Sequence, residues 1–188
     1  MYNTHIKRWF DVILSIVLLI GLAPFMLLIA LAIKLEDGGP ALFLHQRAGK
    51  NGEKFTFYKY RSMPVGTKQV PSPEARELKI TRVGKWIRRL SLDELPQLFN
   101  ILKGDMSLVG PRPILTTQTD LLEMRKENGS IACIPGITGL CQVKAYSEMT
   151  TATKAEYDRQ YSEKITFLND FKIILSTFTY LLKPPPTD

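Results

Sequence analysis

From Val12 to Ile33 the chain runs for 22 residues without a charge, bounded by Lys7, Arg8 and Asp11 on one side and by Lys34, Glu36 and Asp37 on the other. No other stretch limits the fold as strongly. As a straight helix the run would be about 33 Å long, enough for a hydrocarbon core of about 30 Å. It is long for the apolar part of a signal peptide, and no small-residue cleavage site precedes Lys34-Leu35-Glu36-Asp37, so the segment is expected to stay in the membrane. Pro24 sits near its middle, lacks a backbone donor and disfavours helical backbone at Ala23, which predicts a kink or break at mid-membrane depth. A kinked spanning helix would put Met1 across the bilayer from the rest of the chain, whereas a re-entrant hairpin would keep both on one side. Basic residues flank both ends, so charge does not choose between them. Kinked spanning helices are common, and on the residues alone crossing is favoured.

The remaining chain is enough for one compact domain, since the whole has 188 residues. Its 25 Lys and Arg against 18 Asp and Glu give a net +7, which suits an anionic partner: lipid headgroups, a nucleotide or nucleic acid. Cys133 and Cys141 stand without a neighbouring His or a Cys-x-x-Cys spacing and read as free, non-catalytic thiols. His5 and His45 are too isolated to suggest a metal site.

Chemistry concentrates between Arg88 and Pro113. Ser91 followed by Glu94 reads as a capping box, and Pro96 predicts a helix beginning no later than its own position. Asp93 and Glu94 would then lie where free backbone N–H groups stabilise anions, keeping Asp93 ionised and welcoming phosphate. The simpler reading, that both acids only cap a helix, stays open on local pattern. In Gly110-Pro111-Arg112-Pro113 two prolines restrict the backbone around one guanidinium, whose fork can grip two phosphate oxygens.

Around that centre the sequence predicts a mostly helical α+β domain. Ala41 to Gln46 and Phe55 to Tyr60 read as strands joined through Asn51-Gly52, a strong hairpin signal. Phe55 and Phe57 share a face that Lys59 and Arg61 continue, either toward a phosphate or as a solvated strand end. Met63 to Pro73 is rich in breakers and is assigned no regular structure. Thr81 to Leu90 reads as a basic amphipathic helix suited to a membrane surface or polyanion. Ile114 to Glu127 is expected to be helical, and Pro135 to Gly139 to be a tight loop. Thr150 to Lys164 reads as a polar helix with Glu156, Tyr157 and Asp158. Phe167 to Leu182 carries apolar residues at helical spacing, for the core or the lipid interface.

Lys7-Arg8-x-x-Asp11, the apolar run broken at Pro24, Lys59-Tyr60-Arg61-Ser62-Met63, Ser91 to Gln97, Gly104-Asp105-Met106-Ser107, Gly110 to Pro113 and Pro135 to Leu140 together resemble the bacterial sugar transferases known as monotopic phosphoglycosyl transferases. The match runs in order over nearly the whole chain, and Ser-Leu-Asp-Glu-Leu-Pro-Gln followed by Gly-Pro-Arg-Pro is highly specific. The resemblance reverses the topology: it implies a re-entrant membrane helix hairpin over residues 1–36 and a membrane-associated catalytic domain over 37–188, on the cytoplasmic face of the bacterial inner membrane. It implies transfer of a sugar 1-phosphate from a UDP-sugar to polyprenyl phosphate, as the first membrane step of glycoconjugate or polysaccharide assembly, with UMP released. Asp93 would be the nucleophile and a contact of Mg²⁺, with Glu94 assisting. Arg88, Arg112 and, more weakly, Lys59 would grip phosphate, with Gly110, Pro111 and Asp158 as further substrate-binding positions. Membrane lipid is a partner, nucleic acid is not, and a homo-oligomer is compatible with the family.

Departures from the family pattern are Ala23 in place of a serine before the proline, Ile134 in place of a basic residue, Lys144-Ala145-Tyr146 in place of Asn-Gly-Arg, and Thr151 in place of a tryptophan. Lys144 or Tyr146 would have to substitute in sugar and nucleotide contacts. Two other classes remain open on the residues. A glycosidase needs carboxyl groups about 5 to 5.5 Å apart across a sugar, and neighbours on one helical turn diverge by about 100°. A membrane-anchored basic module that binds anionic lipid or nucleic acid accounts for the charge, but gives no task to Asp93-Glu94 or to Gly110 to Pro113.

Overall fold

The computed structural model describes residues 2–67, 79–144 and 149–181, so most of the breaker-rich loop, Ala145, Tyr146 and the residues after Leu181 lie outside the described residues. The apolar run forms helix α1, Lys7–Asp37, which ends where Gly38 adopts a left-handed conformation and returns its N–H to the Lys34 carbonyl. Pro24 lies inside α1, which continues as helix through it. Its buried residues, Lys7, Asp11, Ser15, Met26, Ile29 and Ile33, follow helical spacing and face the domain. Ile13, Val17, Ile20, Leu27, Leu28, Leu31 and Leu35 are exposed.

Both ends of α1 are bonded to the same domain. At its start Lys7 Nζ pairs with Asp170 Oδ2 at 2.6 Å, Arg8 donates to the Ile101 and Leu102 carbonyls that end a helix, and Asp11 Oδ1 accepts from the Leu108 N–H at 3.1 Å. At its end Glu36 accepts from the N–H groups of Arg82 and Val83 at 2.6 and 3.1 Å, and Asp37 pairs with Arg61. Between them the Tyr60 hydroxyl donates to the Met26 carbonyl at 2.8 Å. Arg61 is thus buried in an ion pair, neither a solvated strand end nor a phosphate ligand.

Strands β1, Leu42–Ala48, and β2, Lys54–Tyr60, form the expected antiparallel hairpin, slightly longer than predicted, with Asn51 and Gly52 both at positive φ in the turn. The segment expected to be helical from Ile114 instead opens with β4, Ile114–Leu115, which pairs antiparallel with β1; helix α4 begins only at Thr119 and runs to Glu127. Gln118 causes the delay: its Oε1 accepts the Leu115 N–H at 3.0 Å while its own N–H bonds the Leu115 carbonyl. The expected tight loop at Pro135 to Gly139 carries a strand, β5, Gly136–Thr138, parallel to β3, Ser107–Val109. Glycines permit the approach, since a Cβ on Gly110 would lie 2.3 Å from the Ile134 carbonyl oxygen, and one on Gly136 would lie 2.1 Å from Gly110 N.

Helices α2, Arg82–Arg89, α3, Gln97–Lys103, α5, Leu140–Lys144, α6, Thr151–Glu163, and α7, Phe167–Leu181, complete the described fold. Thr81 and Thr150 cap α2 and α6 through their hydroxyls. The main core joins Phe57, Leu98, Ile101, Met106, Leu108, Val109, Tyr161 and Ile173, and a second cluster packs Met26, Ile29 and Ile33 on Tyr60 and Ile87. On α7 it is Asp170 and Ile173 that turn inward, while Phe167, Phe171, Leu175 and Phe178 stay exposed. Trp86, Leu90 and Phe99 are exposed as well, as is the outer side of α1.

Candidate active site

Two short elements bring the acids and bases together. On β2, Lys59 stands on the same side of the sheet as Phe57 and, across the register, Phe43, His45 and Arg47. After α2 the chain turns sharply at Ser91, whose φ of 53° is unusual for a residue other than glycine, and continues as a short 3₁₀ turn over Leu92–Glu94. The expected capping box is not formed: the Ser91 side chain makes no capping bond, and α3 starts at Gln97, one residue after Pro96. The left-handed turn takes the place of a cap and points Asp93 inward.

Asp93 is only 3 % exposed, and its Oδ2 lies 2.7 Å from Lys59 Nζ. Burial pushes the Asp93 carboxyl above its ordinary range, while the charges of Lys59 and Arg88 pull it back. The helix-end stabilisation expected from sequence is therefore replaced by a buried ion pair, because the carboxylate sits in the body of the domain. Lys59 also lies 3.8 Å from Glu94 Oε1, so one ammonium spans both acids. Glu94 Oε1 accepts from Arg112 Nη2 at 2.8 Å. Burial alone would raise the Glu94 carboxyl, but Arg112 and Lys59 overcome it and hold it at about 2. Lys59, Arg88, Asp93, Glu94 and Arg112 thus form one cluster.

Three other expected positions do not face this cluster. Gly110 gives its N–H to the Thr138 carbonyl and Pro111 its carbonyl to the Gly136 N–H, both at 2.9 Å, so their backbone groups are spent on holding β5. Asp158 is buried on α6 and bound by Arg125 of α4, with Nη2 to Oδ2 at 2.6 Å. Among the described residues it is linked to the cluster through Arg125, which donates to the Arg112 carbonyl at 3.0 Å.

Sequence reasoning also passed over several residues. Asn100 on α3 is fully buried and acts as a side-chain extension of the sheet: Oδ1 accepts the Tyr58 N–H at 3.0 Å and Nδ2 donates to the Thr56 carbonyl at 2.7 Å. This fastens α3, and with it the Asp93 turn, to the strand bearing Lys59. Arg47 lies over the Phe57 ring and donates to His45 Nδ1 at 3.1 Å and to the Pro113 carbonyl at 3.3 Å. Accepting at Nδ1 puts the His45 proton on Nε2. Burial, with Arg47 and Lys59 close by, holds His45 neutral down to about pH 3. The strand expected over Ala41 to Gln46 stops one residue short of Arg47; extended through it, the i+2 spacing from His45 would place both on one face.

Among the described residues no group of three His, Cys, Asp or Glu could enclose a metal ion. Two adjacent carboxylates supplemented by substrate phosphate oxygens are nevertheless a donor set that Mg²⁺ accepts, since that ion is commonly held by one or two carboxylates together with phosphates and water.

An apolar helix long enough to cross a bilayer is clasped at both ends by a small mixed domain that holds paired acids between cations. The chain belongs to the bacterial sugar transferase family, whose profile matches residues 2–184. It is similar to an undecaprenyl-phosphate galactose phosphotransferase of Salmonella typhimurium, 40 % identical over 200 residues, covering 96 % of this chain and 41 % of that one. It is likewise 39 % identical over 184 residues to a UDP-N-acetylgalactosamine-undecaprenyl-phosphate N-acetylgalactosaminephosphotransferase of Aeromonas hydrophila, covering 94 % of this chain and 44 % of that one. The exopolysaccharide production protein ExoY of Sinorhizobium fredii is 36 % identical over 188 residues, covering 91 % of this chain and 83 % of the relative. The chain thus spans about two-fifths of the length of the first two and most of the third.

Proposed function

We propose that this protein transfers a sugar 1-phosphate from a UDP-sugar to a polyprenyl phosphate in two steps, with Asp93 as the nucleophile. The observation that carries this reading is the buried Asp93 carboxylate held on Lys59, with the Glu94–Arg112 pair beside it. The names of the relatives supply the substrate class: undecaprenyl phosphate in two of them and a UDP-amino sugar in one.

In the first step an Asp93 carboxylate oxygen attacks the sugar-bearing phosphorus. The bond from that phosphorus to the bridging oxygen breaks, and UMP leaves with the electron pair. A phosphosugar remains on Asp93. In the second step an oxygen of the polyprenyl phosphate attacks the same phosphorus, the bond to Asp93 breaks, and polyprenyl diphosphosugar departs while the carboxylate is restored. Splitting one difficult displacement into two is what a covalent intermediate achieves. Each step brings anions together, so cations must offset the charge. Lys59 orients the Asp93 oxygen and moves onto the phosphoryl oxygens as that oxygen is consumed; Arg112 and Arg88 grip the diphosphate. Glu94 holds Arg112 in place. Mg²⁺, bound through Asp93 and the diphosphate, would neutralise charge on the leaving phosphate.

The anchor completes the reading. Because the start and the end of α1 bond to one domain, α1 enters the bilayer without crossing it, and the exposed sides of α1 and α7 lie in lipid. The catalytic domain then rests on the cytoplasmic face, where a soluble nucleotide and a buried prenyl chain can meet at Asp93. A basic lipid-binding module would leave the Lys59–Asp93–Glu94–Arg112 cluster without a task. The test is purified protein in detergent with Mg²⁺, undecaprenyl phosphate and a panel of UDP-sugars. UMP release that falls about 10³-fold or more in Asp93→Asn is expected; UDP release, or robust transfer by Asp93→Asn, would refute it.

A further inference from the structure

We propose that Arg125 is a positioning residue of this site: anchored by Asp158, it fixes the carbonyl of Arg112 and so aims the guanidinium that grips the donor's diphosphate, a role that rests on the phosphosugar-transfer reading above. Arg125 stands in the last turn of α4 and is 6 % exposed. Its Nε and Nη2 lie 2.8 and 2.6 Å from Asp158 Oδ2, and Nη2 also donates to the Arg112 carbonyl at 3.0 Å.

Burying an ion pair is expensive, and an apolar pair of the same volume is often as stable or more so. Packing alone therefore gives little reason for this one. What an apolar pair cannot do is hold a carbonyl. Pro111 and Pro113 restrict the loop, and the residue before a proline is confined to extended backbone. Both narrow the orientation of the Arg112–Pro113 peptide without fixing it. That peptide has no N–H, because its nitrogen belongs to Pro113, so its carbonyl is the one hydrogen-bonding group by which the fold can hold it. Arg125 takes that carbonyl from the α4 side. From β1, Arg47 takes the next, donating to Pro113 at 3.3 Å. Two successive carbonyls are thus held by arginines on separate elements, and between them the Arg112 side chain, 46 % exposed, projects to Glu94.

Asp158 has a defined task in this arrangement. It neutralises Arg125, so the pair aims Arg112 without adding a phosphate ligand of its own, and it leaves Arg125 one geometry in which the carboxylate and the carbonyl are both served. The Asp93 carboxylate and Lys59 lie outside this chain of contacts, so its loss acts on donor binding rather than on the displacement at phosphorus.

Arg125→Lys separates this role from a merely structural one. A lysine keeps the buried charge pair with Asp158, but its single ammonium lacks the planar fork that reaches both oxygens. The expected result is a KM for the UDP-sugar raised about 10-fold, kcat and the KM for undecaprenyl phosphate each within about 3-fold of wild type, and a melting temperature within a few degrees. Arg112→Lys raises the same KM, and adding Arg125→Lys to it brings little further loss, because Arg125 acts only through Arg112. An unchanged donor KM in Arg125→Lys, or losses that multiply in the double variant, would overturn the positioning role while leaving the transfer reading intact. A wild-type protein that releases no UMP in the same assay would overturn both.

Discussion

At the scale of single residues, one ammonium governs two carboxylates. Lys59 pairs with Asp93 and approaches Glu94, and burial acts on both acids in the same upward direction. Among the described residues no other cation pairs with Asp93, so without Lys59 its burial is opposed less. In Lys59→Met the acid limb of the pH–rate profile should therefore move to higher pH, with kcat/KM about 10²-fold lower at neutrality; a limb that stays in place would show that Lys59 does not tune the nucleophile. Glu94 gives a second pH prediction. Its folded value of about 2 lies below the ordinary 4.5, so its contribution to stability is complete above pH 4.5 and is lost as pH falls toward 2. Thermal unfolding between pH 5 and 3 should steepen in wild type relative to Glu94→Gln, and parallel curves would count against the Arg112–Glu94 pairing. The acids, Lys59, Arg88 and Arg112 were legible in the sequence because they fall within short specific motifs. Arg125 and Asn100 were not, since their partners lie 33 and up to 44 residues away and no local pattern announces a tertiary hydrogen bond. Ser91 misled in the opposite sense. Its spacing to Glu94 fits a capping box, but a left-handed backbone turns the acids inward.

Among elements, those with several turns or alternations were readable and the shortest were not. The β1–β2 hairpin, α2, α6 and α7 follow from periodicity with boundaries shifted by a residue or two. Strands β4 and β5, of two and three residues, carry no periodicity of their own; they exist because β1 and β3 offer edges to pair with. The apolar spacing of α7 was visible, but not which side the core would take, because inward-facing Asp170 is satisfied by Tyr2, Lys7 and Tyr161. The hold of α3 on β2 is a matter of this scale too. Asn100→Ala leaves the Tyr58 N–H and the Thr56 carbonyl without their side-chain partner, and should cost about 2 to 4 kcal/mol in denaturant unfolding. A loss under about 1 kcal/mol would mean that α3 is held mainly by Leu98 and Ile101 in the core.

For the whole molecule, the deciding feature is that one domain grips both ends of a helix long and apolar enough to cross a bilayer. Length and composition favour crossing, the family resemblance implies re-entry, and the tertiary bonds of Lys7, Asp11, Glu36 and Asp37 support re-entry. A thiol probe that cannot cross the membrane should label an Ile6→Cys protein from the side that holds the catalytic domain, in a background without Cys133 and Cys141; labelling from the opposite side would contradict that topology. With that topology, the proposed function has the Asp93 cluster carried at headgroup depth by an anchor that is part of the fold. The central claim remains the bond to Asp93, and mass spectrometry of the protein incubated with a UDP-sugar and Mg²⁺, without lipid acceptor, tests it most directly. A mass increase of one sugar phosphate on the peptide containing Asp93, matched by an equal amount of UMP and discharged by added undecaprenyl phosphate, is the predicted result. An unmodified protein that nevertheless turns over once acceptor is supplied would contradict it.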